Sequence, residues 1–135
     1  MRDHWDALKT LLAPLGYPTY MVFAPGGDLQ YLVLSTPAWD TPDAHYLGVN
    51  SAFDTTLRVK AVAGNPEAVA SMLTRVRGVL SPGLSDVAVP VPSRNVRVRY
   101  ARSEFIDVDL DTVIQGTNKH PAFGVDSYHL FSEPS

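Results

Sequence analysis

The sequence predicts an α+β fold: a mostly antiparallel or mixed β-sheet packed by two α-helices, in one compact domain spanning residues 1–135. Three observations lead there. Two stretches, around Trp5–Leu12 and Val69–Leu80, carry apolar residues at helical spacing. Several others alternate apolar and polar residues with the period of a half-buried strand. The elements run helix, hairpin, strand, helix and then a β-rich tail, an order that suits helices laid on a sheet.

In the first helix, about Asp3 to Ala13, Trp5, Leu8 and Leu12 share a stripe, with Asp3 as the expected N-cap. Pro14 ends it, because the residue before a proline is pushed out of the α region. After the turn Leu15–Pro18 come two strand-like runs, Thr19–Ala24 and Tyr31–Thr36. Between them Pro25, Gly26, Gly27 and Asp28 supply a tight reversal, so the two runs are expected to form a hairpin. A polar, proline-bearing loop follows, from Pro37 to about His45.

The segment Ala52–Val62 reads as a strand: Phe53, Thr55, Leu57, Val59 and Ala61 alternate with Asp54, Thr56, Arg58 and Lys60. Gly64 stops it. Asn65, Pro66 and Glu67 then open the second helix with a cap, a proline at the first helical position and an acid in the first turn. Its core stripe is Val69, Met72, Leu73, Val76 and Leu80; Ser71, Thr74 and Arg75 face away, and Ser81–Gly83 ends it. In the last third, Val96, Val98 and Tyr100 alternate with Arg97 and Arg99, and Ile106, Val108 and Leu110 with Asp107, Asp109 and Asp111. Joined through Ala101–Phe105, these would form a hairpin with Arg99 opposite Asp107 and Arg97 opposite Asp109. Ala122–Phe131 closes the sheet, with His129 sharing a face with Phe131 and Val125.

Composition narrows the function classes. With 45% hydrophobic and 19% charged residues, the chain is that of a globular protein. The absence of cysteine removes disulfides, thiolate nucleophiles and thiolate metal sites. A net charge of −3 argues against a dedicated nucleic-acid or anionic-membrane binder. No stretch approaches the ~20 apolar residues of a membrane helix, and Met1–Asp6 lacks the pattern of a secretory signal, so cytoplasmic folding is expected.

No motif names a chemistry. A calcium loop starting at Asp107 would need glycine and glutamate at its sixth and twelfth positions, which hold Thr112 and Asn118. Gly26 and Gly27 lack the lysine and following helix of a phosphate loop. His4, His45, His120 and His129 have no helical metal spacing. No metal and no cofactor are expected. Arg94, Arg97, Arg99 and Arg102 form a basic cluster without an aromatic stacking platform. Together with Asp107, Asp109 and Asp111 they are the candidate inter-subunit or partner contacts, since arginine forks and acids suit protein interfaces.

Across Asp6–Leu15, Phe53–Val62, Asn65–Leu80 and His120–Ser132, in element order and chain size, the sequence resembles the tail terminator proteins of long-tailed, siphovirus-like bacteriophages. The resemblance implies a non-enzymatic virion protein at the tail-neck junction, assembled in the host cytoplasm. Such proteins form a hexameric ring on the head-proximal end of the tail tube. The ring stops tube polymerisation and offers a docking surface to head-completion or stopper proteins. DNA passes through its lumen without specific contact. Three alternatives accompany this reading: another head–tail joining protein (a stopper, completion factor or tube subunit); a small enzyme using His120 and His129 with Asp107 and Asp109; or a nucleic-acid accessory protein using the arginines.

Overall fold

The computed structural model describes residues 2–21, 30–36, 52–110 and 120–134. Helix α1 (Arg2–Leu12) passes into a 3-10 turn (Ala13–Leu15). Strands β1 (Thr19–Met21), β2 (Tyr31–Ser35) and β3 (Phe53–Ala63) precede helix α2 (Pro66–Leu80) and a second 3-10 turn (Pro82–Leu84). Strands β4 (Val87–Val89), β5 (Arg94–Val108) and β6 (Ala122–Pro134) complete a six-stranded sheet of order β1-β2-β3-β6-β5-β4. The fold is α+β with a mixed sheet, as the sequence predicts.

The two helices form where the periodicity places them. Asn65 caps α2, its Oδ1 accepting from the Ala68 amide at 2.8 Å. Val69, Met72, Leu73, Val76 and Leu80 are all buried. Each is worth about 1.5–3 kcal/mol of burial, which is why the helix lies flat on the sheet. Helix α1 begins one residue before the expected cap, so Asp3 sits in its first turn. Pro14 falls inside the 3-10 turn, and Gly16 closes that turn at φ 82°, a conformation that costs glycine nothing. Trp5, Leu8 and Leu12 join α2 and the inner faces of β2, β3, β5 and β6 in one continuous core.

Two expected hairpins are corrected. Strands β1 and β2 are parallel, with Thr19 beside Leu32 and Met21 beside Leu34. The nine intervening residues can span about 30 Å, while three residues of strand occupy roughly 10 Å. The chain therefore has the length to return to the start of β1 before entering β2. A glycine turn reports a reversal of direction, not the identity of the paired strand. Residues 22–29, where the sequence places that turn, lie outside the described residues, as does the expected Pro37–His45 loop.

The second correction concerns β5. Arg94–Val108 is one 15-residue strand, so Arg97, Arg99 and Asp107 belong to the same strand, Asp109 follows its end, and neither expected pair faces across a hairpin. β5 pairs along its whole length with β6, which lies between it and β3. The supposed connection Ala101–Phe105 contains no glycine, proline or asparagine, and it stays extended through two bulges, at Tyr100/Arg102 and Ser103/Phe105. Strand β4 was not foreseen: Val87–Val89 is too short to show a period, yet it pairs with Val96–Val98.

Candidate protein-interaction surface

Both helices pack on the sheet face that carries Leu57, Val59, Tyr128 and Leu130. The opposite face carries Asp54, Arg58 and Lys60 from β3, Ser127, His129 and Phe131 from β6, and Arg97, Arg99 and Arg102 from β5. No helix among the described residues covers these side chains. His129 shares this face with Phe131 and Val125, as the alternation requires.

The candidates do not gather at one point. Arg97 and Arg99 stand across from Phe131 and His129. With Asp54 and Asp86 these four line an open hollow of about 410 Å³. Arg99 Nε lies 3.8 Å from Asp86 Oδ1, with both side chains more than half exposed. Further along, Arg102 Nη2 lies 3.8 Å and Arg58 Nε 3.6 Å from Glu104 Oε1, which also accepts from Ser127 Oγ at 3.0 Å. The partners of these arginines are thus Asp86 and Glu104, not Asp107 and Asp109. Exposed pairs of this length contribute about 0–1 kcal/mol each, so they orient charge more than they stabilise the fold.

Asp107 turns its carboxylate back to accept from the Val108 amide at 2.7 Å. Asp109 continues the ladder, its amide donating to the Pro121 carbonyl at 2.8 Å. Asp111 lies outside the described residues. Arg94 leaves the group altogether: its Nε donates to Ser132 Oγ at 2.6 Å on the helix-bearing side.

The two histidines of the acid–base alternative are held apart, while His120 adjoins Pro121, whose carbonyl accepts from the Asp109 amide. His129 and the residue facing Asp107, Phe123, are six positions apart on β6, about 20 Å. His120 precedes β6 and is about 30 Å from His129 by the same measure. Among the described residues, no three histidine or acidic side chains gather as metal ligands, and no helix is long and apolar enough to cross a membrane.

A buried polar cluster on the helix side was missed. Asp126, fully buried in β6, accepts from Arg77 Nη2 of α2 at 3.0 Å and from Ser103 Oγ at 2.7 Å. Arg77 lies 4.3 Å over the Tyr100 ring, and Tyr100 stacks edge-on against Tyr128 at 5.7 Å. Burial opposes the Arg77 charge, but the hydrogen bond and charge of Asp126 outweigh it and raise the guanidinium pKa. Burial, then the Asp126 charge, also raises that of the Tyr128 hydroxyl. The signal was the parity of Asp126: it shares a face with Gly124, Tyr128 and Leu130, where a charge demands a partner. Compared with protein-family models and with curated proteins, the chain matches none.

Proposed function

We propose that this protein is a tail-tube terminator: a ring-forming virion protein that caps the head-proximal end of a phage tail tube and receives the head-completion proteins. The segments that carry the resemblance become α1, β3, α2 and β6, which supply most of the core. One observation supports the reading most. A sheet of six strands keeps both helices on one side and presents a broad charged and aromatic face on the other. Neither of the two described helices packs on that face, and complementary patches on a domain close into a ring when each contact repeats with the right rotation. Exposed arginines interspersed with acids would set the orientation of neighbours by charge complementarity.

Purified protein mixed with polymerising tail-tube subunits and imaged in negative stain tests this. Tubes of arrested length with a ring at one end are expected. Tubes that grow unhindered and bare-ended would reject it. Attachment along the tube wall or to the portal side would point instead to a tube subunit or stopper.

A further inference from the structure

Arg97, Phe131 and Asp54 stand on one rung of the sheet face that bears no helix. Strand β5 sets Arg97 against Phe131, and β3 sets Asp54 against it from the other side. Across three adjacent strands the rung reads cation, ring, anion. Neighbouring strands lie about 4.8 Å apart, so the outer two Cα atoms are roughly 10 Å from each other. Arg97 and Asp54 are exposed, and Phe131 is 39% exposed between them. All three line the hollow of about 410 Å³, with Asp86, Arg99 and His129.

The two end charges are uncommitted. Arg99 already lies beside Asp86, and Arg102 and Arg58 share Glu104 further along. Among the described residues, neither Arg97 nor Asp54 makes a hydrogen bond or an ion pair. The neighbour of Arg97 on β4 is Ala88, which offers it no charge. The ring between them can neutralise neither end. The hollow thus holds one free positive group, one free negative group and an apolar floor from one to the other.

We infer that this rung binds the C-terminal lysine of another polypeptide. The lysine's carboxylate meets the Arg97 guanidinium, whose planar fork takes both oxygens. Its ammonium meets Asp54, and its methylenes lie along the Phe131 ring. Extended, the two charges of that residue stand about 7 Å apart, set by bonds of near 1.5 Å. Arg97, the longer of the two protein side chains, has the reach to take up the difference. A chain end suits the rung better than free lysine does. Its α-nitrogen is an uncharged amide and brings no second cation beside Arg97. An internal lysine lacks the carboxylate altogether. The site needs neither ring nor tube, so it stands apart from the tail-tube proposal.

Titration of the full chain with a short peptide ending in a lysine carboxylate, followed by amide NMR shifts, tests this. Saturable shifts are expected at Asp54, Arg97, Phe131 and their strand neighbours, and ε-aminocaproate should displace the peptide from them. The same peptide with an amidated end, or ending in norleucine, should not reproduce these shifts. Arg97→Gln and Asp54→Asn should each weaken binding about three- to five-fold, the worth of an exposed charge pair. Resonances away from the rung should stay in place in both variants, which shows that the fold is kept. No saturable shift on the rung would overturn the inference. So would equal binding of either control peptide, no displacement, or variants that bind like the parent. None of these outcomes bears on tube capping, which is read from tubes and not from the peptide.

Discussion

Arg77 Nη2 lies 3.0 Å from Asp126 Oδ2, tying the last turn of α2 to the middle of β6 around a carboxylate with no exposure to solvent. The pair sets how α2 sits on the sheet, because both groups reach their hydrogen bonds only from this position. Ser103 Oγ, just before the second bulge, donates to the other carboxylate oxygen and accepts from Arg77 at 3.1 Å.

Arg77→Met should therefore destabilise the fold by about 3–5 kcal/mol, since it leaves a buried carboxylate without its counter-charge. The double change Arg77→Met with Asp126→Leu should cost much less than the sum of the single changes. Urea unfolding of the three variants measures this, and strict additivity would contradict the coupling.

Gly124 is fixed by contact rather than by backbone angle. A Cβ there would meet Val69 Cγ1 at 2.8 Å, and Ile106 Cγ1 and Leu73 Cδ1 at 3.0 Å. Gly124→Ala should cost about 1–3 kcal/mol by overpacking. Val69→Ala, added to it, should recover part of that loss by making room. Thermal unfolding of the single and double variants gives the comparison.

His4 makes stability depend on pH. Its Nε2 lies 2.8 Å from Ser132 Oγ, and Arg94 donates to the same oxygen, leaving the serine hydrogen for an unprotonated ring nitrogen. Burial first, then the charge of the chain's amino terminus and that of Arg94, lowers its pKa from 6.5 to about 4. Between these values the unfolded chain binds a proton that the folded chain does not. His4 therefore contributes stability above pH 6.5 that is lost progressively as pH falls towards 4. The loss is on the order of 2–3 kcal/mol. Denaturation midpoints at pH 7.5 and 5, for the parent and for His4→Gln, should show a smaller drop in the variant.

How much of this could be read from the sequence differs by element for physical reasons. α2 was fully legible, because Asn65, Pro66 and the Val69–Leu80 stripe are local signals that agree with one another. β3 was legible because its partners bury one face and leave the other wet. The β1–β2 pairing was not, since parallel and antiparallel partners have the same side-chain alternation. β5 misled through its charges: arginines followed by aspartates suggest a hairpin, yet in the fold Arg99 and Arg102 lie beside Asp86 and Glu104. The bulges at Ala101 and Glu104 have no glycine to announce them. Of the candidate contacts, Arg97, Arg99 and Arg102 do share an exposed face, while Arg94 is drawn aside by Ser132. The Arg77–Asp126 pair joins residues 49 positions apart, beyond the reach of any local pattern.

In chain order β6 follows every other strand, yet in space it is the spine of the sheet, flanked by β3 on one side and β5 on the other. A nascent chain interrupted before Ala122 holds two half-sheets with no seam between them. Assembly must wait for contacts as distant as Thr55 with Leu130, and topologies dominated by such long-range pairing fold on the order of milliseconds to seconds. During that interval the β3 and β5 margins lack the strand that pairs with both of them in the finished sheet.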